Sequence, residues 1–258
     1  MEEDVSKKRI LFAGETCMVH SIEFKGHDSF TSTRYAEAYG VMRKVFEKID
    51  VDVTHIPCHR VPFDFPNTLE ALQAYDAIIF SDIGANTFLL HPDTTRFCKR
   101  TPNLLKQVRT YVENGGGFCM IGGYMTYQGI EAKGKYKDSP IEAIMPINFL
   151  PYDDRNETPE GADLVVEASS HALLAGLPRE LPFVLGYNRT VLKAGADLVV
   201  SHDGNPIIAA WQVGQGRTVA YTTDCAPHWA PPEMIQWDFY PQLWQNIINW
   251  LSGYMENK

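Results

Sequence analysis

The 258-residue sequence predicts an α/β fold, a doubly wound and mostly parallel sheet with helices on both faces and a C-terminal hairpin extending it. Three observations carry that expectation. Four short apolar runs have the uninterrupted character of strands buried on both sides. Stretches of helical spacing separate them, the alternation that builds a parallel sheet. Late in the chain, two further apolar runs flank Gly214-Gln215-Gly216, which reads as a hairpin.

The first run, Arg9–Gly14, ends in glycine. A polar stretch follows to Thr33. Tyr35, Ala38, Met42, Val45, Phe46 and Ile49 then recur at helical spacing. Val51–Pro57 is the second strand. A short helical segment, Leu69–Tyr75, leads into the third, Asp76–Asp82. Thr101-Pro102 has the form of an N-cap with proline at the first helical position. The helix it opens carries Leu104, Leu105, Val108, Tyr111 and Val112 on one face, and Asn114-Gly115 stops it. Gly117–Gly122 is the fourth strand. An irregular region runs from Tyr124 to about Gly161, with a helical piece at Ile141–Ile144. Short strands follow at Leu164–Glu167, Phe183–Leu185 and Asp197–Ser201, then the turn Asp203-Gly204-Asn205. The hairpin Pro206–Val213 and Arg217–Thr223 comes next, and a last helix buries Tyr240, Leu243, Trp244, Ile247, Ile248 and Leu251. No repeat or linker interrupts this order, so one domain spanning 1–258 is expected.

Composition narrows the function. With 45% hydrophobic and 21% charged residues the chain is globular and long enough to bury a core without staples. Lys and Arg number 23 against 32 Asp and Glu, with no basic cluster, so nucleic acid is excluded as a partner. No apolar run approaches the ~18 residues of a membrane span. Five widely spaced cysteines form no CxxC pair, and the charged N-terminus leads straight into a strand; a cytoplasmic protein is expected. Partners are expected to be a small polar ligand and, as an open possibility, further copies of the chain.

Several stretches resemble the putative glutamine amidotransferase family of the class I glutamine amidotransferase-like superfamily. They are Lys25 to Phe30, Ser81-Asp82-Ile83-Gly84-Ala85-Asn86, Leu90-His91-Pro92-Asp93, and Gly115-Gly116-Gly117 through Met120 to Tyr124. Gln128 to Glu131, Asp153-Asp154-Arg155, Leu185 to Arg189 and Asp224 through Pro227-His228-Trp229 continue the match along nearly the whole chain. More distantly the sequence is similar to ThuA-like proteins, in the triple glycine before the fourth strand and in His171 followed by Gly176-Leu177. The resemblance implies a flavodoxin-like sheet with its site at the carboxyl ends of the strands.

Working amidotransferases of this superfamily carry a cysteine on a tight strand-to-helix turn between small residues, with a histidine to take its proton. Cys119 is the candidate here, but Ile121 stands where the pattern has its final glycine, and Cys119 falls inside the strand. It reads better as a core cysteine. The sharp turn falls at Gly122-Gly123-Tyr124, where the nucleophile position is glycine. Cys17 and Cys225 read as inert thiols. Asp224 and His228, just past the hairpin, have the types and spacing for a histidine oriented by a carboxylate. The same segment also reads as a structural loop, with Asp224 capping a turn and His228 beside Trp229.

Glu15, Asp82, Asn86, Gly122, Gly123 and Tyr124 follow the ends of parallel strands, which converge on one crevice. The expected catalytic set is therefore His228, Asp224 and Asp82, with Cys119 the alternative nucleophile; Glu15, Asn86, Gly122, Gly123 and Tyr124 are expected to bind ligand. His55, Cys58 and His59 have metal-ligand spacing but lack a fourth ligand, and His20, His27 and His91 cannot be assembled from sequence. No metal and no organic cofactor are expected. The leading expectation is a protein that binds or acts on a small polar molecule without the standard cysteine. The alternatives are an amidotransferase using Cys119 and a non-catalytic ligand-binding protein.

Overall fold

The structure, a computed structural model, describes residues 7–253. Its strands are β1 (Lys8–Gly14), β2 (Thr16–Lys25), β3 (Asp28–Glu37), β4 (Val51–Ile56), β5 (Ala77–Ser81), β6 (Gly117–Ile121), β7 (Ile147–Phe149), β8 (Arg155–Ala162), β9 (Val165–Val166), β10 (Val184–Asn188), β11 (Thr190–Leu192), β12 (Asp197–His202), β13 (Asn205–Val213) and β14 (Gly216–Tyr221). The central sheet has the order β4-β1-β5-β6-β14-β13-β12-β9. Its first five members are parallel; β13, β12 and β9 continue it antiparallel. Among the parallel strands, chain order runs 2-1-3-4-5, the flavodoxin-like arrangement. The four expected parallel strands are neighbours, and the hairpin β13–β14 extends the sheet through a two-residue turn between Val213 and Gly216.

The helices are α1 (Gly40–Phe46), α2 (Val61–Asp64), α3 (Leu69–Leu72), α4 (Ala85–Leu89), α5 (Pro92–Phe97), α6 (Leu104–Glu113), α7 (Pro140–Ile144), α8 (Pro232–Ile235) and α9 (Tyr240–Leu251). Strand side chains alternate between two cores. Ile10, Phe12, Ile79, Cys119 and Val219 pack with Met42, Phe46 and the apolar stripe of α9. Leu11, Ile78, Phe80, Phe118 and Ala220 pack with Leu72 and the predicted buried face of α6. Period-2 strands between period-3.6 helices thus bury both sheet faces. Among the described residues no helix is long and apolar enough to cross a membrane.

Three local expectations are corrected. The polar stretch after β1 is a hairpin, β2–β3, paired in unbroken register from Thr16 with Glu37 to Lys25 with Asp28. Its two-residue turn starts at Gly26, whose φ of 67° suits a hairpin turn. Tyr35 therefore belongs to β3, and the first helix begins only at Gly40. The N-cap of α6 is Asn103, which accepts the Lys106 amide at 3.0 Å, two residues beyond the expected Thr101. The region after Tyr124 also holds more order than expected: β7 pairs with β11, and β8 with β10.

Candidate active site at the carboxyl ends of the parallel strands

Parallel strands end on one side of their sheet. The ends of β1, β5, β6 and β14 bring together Glu15, Ser81-Asp82, Gly122 to Tyr124, and Thr222 to Asp224. β1 and β5 flank the point where strand order reverses, the place where open α/β sheets leave a crevice. Gly14 lets them approach there, since a Cβ on it would stand 1.7 Å from the Ser81 carbonyl oxygen. Glu15 and Asp82 both hold left-handed backbone conformations, with φ of 54° and 42°. Non-glycine residues seldom adopt these, and they concentrate at functional sites.

The centre is a buried acidic cluster. Ser81 Oγ donates to Glu15 Oε1. The Cys225 thiol donates to the same oxygen at 3.8 Å and lies 3.6 Å from Ser81 Oγ. Asp224 accepts the Ala226 amide at 3.0 Å, and its other oxygen lies 3.2 Å from His228 Nδ1. Asp82 accepts the Met125 amide at 2.8 Å. Burial, with the Asp82 charge adding to it, pushes Glu15 from the usual 4.5 up to about 7. Burial, then the charges of Glu15 and Asp82, holds Asp224 well above the carboxylate range. Asp82 is raised by burial as well. Negative charge on Asp82 thus disfavours ionisation of both Glu15 and Asp224, and burial shifts all three acids in the same direction. His228 is pushed below 6.5 by burial, against the pull of Asp82 and Glu157, so its imidazole is neutral at pH 7.

An aromatic rim covers this cluster. Asp224 is buried, whereas the His228 side chain keeps 39% of its surface open. The His228 ring meets the Tyr124 ring edge-on at 4.4 Å. The Arg155 guanidinium lies 4.5 Å from the centre of the Tyr124 ring, and Tyr124 Oη donates to Glu157 at 3.1 Å. Trp229 Nε1 donates to the other Glu157 oxygen at 2.9 Å. Asp82, Asp224, His228 and Tyr124 are thus gathered, with Glu15 beneath them. Asn86 is not: it lies on α4 with its side chain exposed and hydrogen-bonded to none of the cluster.

The glycines serve the corner itself. Gly122 donates its amide to the carbonyls of Tyr221 and Thr223, and a Cβ there would fall 2.1 Å from the Thr222 carbonyl oxygen. A Cβ on Gly123 would fall 2.9 Å from Asp82 Oδ1. No side chain fits at either position without movement of its neighbours. Cys119 lies three residues earlier, fully buried between Ile79 and Val219, and its thiol is pushed up by burial. No described side chain hydrogen-bonds its sulfur. Cys225 touches the cluster, but burial and the negative charges of Glu15 and Asp224 raise it, which disfavours the thiolate.

Among the described residues, Glu15, Asp224 and Cys225 form the one group whose metal-binding atoms fall within 4.8 Å of one another. The H-x-x-C-H spacing does not gather: His55 stacks on Tyr39 at 3.7 Å, and His59 meets Tyr35 edge-on. Of the other histidines, His20 and His27 lie in the β2–β3 hairpin and His91 caps α5. Two hollows, of about 550 and 450 Å³, lie away from the acidic cluster, between α1 and the start of α9.

Sequence reasoning missed Ser81, Glu157, Asp154 and Asn188. Asp154 accepts the amides of Gln128 and Gly129, each at 2.8 Å, and the Asn188 amide group at 2.8 Å. Asn188 in turn holds Gly123. Ser81, Asp154 and Asn188 lie in three of the stretches that carry the family resemblance, which was the available signal; Glu157 lies in none of them. Their roles needed the pairing of β8 with β10.

A 2-1-3-4-5 parallel core with its polar cluster at the switch point defines a flavodoxin-like α/β protein with its site at the strand ends. The chain belongs to the family described as "Putative glutamine amidotransferase", which matches residues 9–253. It is 39% identical to "Cytoplasmic Protein STM3548 from Salmonella typhimurium", with a TM-score of 0.91 over 94% of this chain and 98% of that one. It is 38% identical to "Cytoplasmic Protein STM1381 from Salmonella typhimurium LT2", with a TM-score of 0.90 over 94% and 99%. A "Putative thua-like protein" from Bacteroides uniformis shares the fold at 13% identity, with a TM-score of 0.59 over 96% and 92%. No curated protein matches the chain.

Proposed function

We propose that this protein binds a small polar molecule over Asp82, Asp224 and Tyr124 and moves a proton on it through His228, without a cysteine thioester. The observation that carries this is the Asp224–His228 pairing, 3.2 Å from a buried carboxyl to a partly open imidazole at the end of β14. A neutral imidazole beside a protonatable carboxyl is a general base in one direction and a general acid in the other. Asp224 fixes the ring's orientation; Glu15 and Asp82 supply a reserve of protons and charge. The sealed position of Cys119 and the crowding at Gly122 and Gly123 support chemistry other than thioester formation. A cytoplasmic location goes with this reading, supported by the names of the two Salmonella relatives.

The test is a thermal-shift screen over amides, amino acids and sugars, because a ligand of the native state raises the melting temperature. A compound that stabilises the wild type should lose most of its shift with His228→Ala, whose own melting temperature stays close to wild type. Ammonia release from glutamine that Cys119→Ser abolishes would overturn the proposal and establish the thioester route.

A further inference from the structure

We propose that the β2–β3 hairpin is an arm that clasps a second copy of this chain. It leaves the body directly after Glu15, and its strands run ten residues each, roughly 33 Å. Within its own chain it touches the body only at the root. There Thr16 Oγ1 accepts the Cys58 amide at 2.8 Å, and Tyr35 meets His59 at 5.5 Å. A two-stranded ribbon standing alone in water is marginally stable at best. Its register nonetheless sorts the side chains into two unlike faces. From Cys17 and Ala36 outward, one face carries Met18, Ile22, Phe24 and Tyr35, spaced by hydroxyl residues and a histidine, and no charge. The opposite face carries Glu23, Lys25, Asp28 and Arg34, with Phe30 among them; Glu37, at the root of the uncharged side, is turned to the body by its ion pair with Arg43 at 3.2 Å.

The uncharged face is open to solvent beyond the Tyr35–His59 contact at its root. Met18, Ile22, Phe24 and Tyr35 are 60%, 59%, 76% and 44% exposed. At about 200 Å² for a large side chain, these four present roughly 500 Å² of apolar surface. With the hydroxyl rows between them, the face approaches the ~800 Å² that each partner gives to a stable interface.

Charge selects the occupant. A two-fold axis that sets two identical uncharged faces together leaves Glu23, Lys25, Asp28 and Arg34 of both copies in water, with no ion buried. A strongly charged partner would find nothing on this face to pair with. An anionic membrane would be repelled by a chain of net charge −9.

The experiment is sedimentation equilibrium of the full chain at tens of micromolar, on three proteins. Wild type is expected at twice the chain mass. Ile22→Lys combined with Phe24→Asp is expected to sediment at the single-chain mass, with an unchanged melting profile because the mutated side chains contact no core. Glu23→Gln combined with Lys25→Gln, on the charged face, should remain dimeric. A further variant with residues 21–32 replaced by Asn-Gly guards against misfolding of the charged variant, and should also be monomeric. A monomeric wild type overturns the proposal, and its capture by phosphatidylcholine vesicles would then assign the face to a lipid surface. A dimer that survives both arm variants also overturns it, since the interface must then lie elsewhere.

Discussion

Asn188 holds Gly123 by both sides of its peptide. Its Oδ1 accepts the Gly123 amide at 3.0 Å and its Nδ2 donates to the Gly123 carbonyl at 3.1 Å. The same Nδ2 reaches Asp154, so one buried amide ties the end of β6 to the loop that Asp154 organises. Asn188→Ala leaves these groups without partners and is expected to cost about 3 kcal/mol of stability. Urea unfolding measures it. A loss below about 1 kcal/mol would mean that water replaces the amide without penalty.

The acidic cluster predicts an unusual pH profile. Glu15 titrates at about 7 in the folded protein against the usual 4.5, so across that interval the native state holds a proton the unfolded chain has released. Stability therefore falls as pH rises through it, by up to about 3 kcal/mol from this group. Glu15→Gln keeps an oxygen for Ser81 and removes the titration. It should be more stable than wild type above pH 7, with the difference closing toward pH 4. Urea midpoints measured across this range test it; parallel profiles for the two proteins would show that Glu15 titrates normally. Part of the slope should persist in the variant, because Asp82 and Asp224 are raised in the same direction.

The thiols should divide by accessibility. Cys17 and Cys98 are exposed, Cys58 is intermediate, and Cys119 and Cys225 are buried. A thiol reagent added to native protein should label Cys17 and Cys98 at once and Cys58 slowly. Cys119 and Cys225 should label only on unfolding. Rapid labelling of Cys119 in the native state would contradict its place in the sheet.

The parallel half of the fold was legible because β5 and β6, and β1 beyond its first two residues, are buried on both faces and so read as apolar runs, while the edge strand β4 keeps Val51, Val53 and Ile56 between polar residues. The residues at their ends were legible for the same reason: the direction of a parallel strand decides where its next residue goes. Glu15, Asp82 and Asp224 follow this rule, and so does Tyr124. Asn86 does not, because α4 begins at Ala85 and helical geometry carries its side chain away from the corner. The β2–β3 arm escaped notice because its alternation runs between one uncharged and one charged face, both exposed, which resembles an ordinary polar segment. Its one local signal was the glycine at 26. Glu157 and Asn188 were illegible individually, since neither stands at the end of a central strand.

The crowding at the end of β6 also bears on how this chain can change over evolutionary time. A cysteine is two nucleotide substitutions or fewer from most residues, and glycine is among its nearest codon neighbours. Codon distance is not the barrier at Gly122, where the Thr222 carbonyl occupies the space a Cβ would need. At Gly123 the obstacle is the Asp82 carboxylate, together with a φ of 152°. Installing a thiol at this corner requires a coordinated shift of β14 or of Asp82. A descendant of this sequence therefore reaches new chemistry more readily by altering the rim around His228 than by acquiring a nucleophile at the strand end.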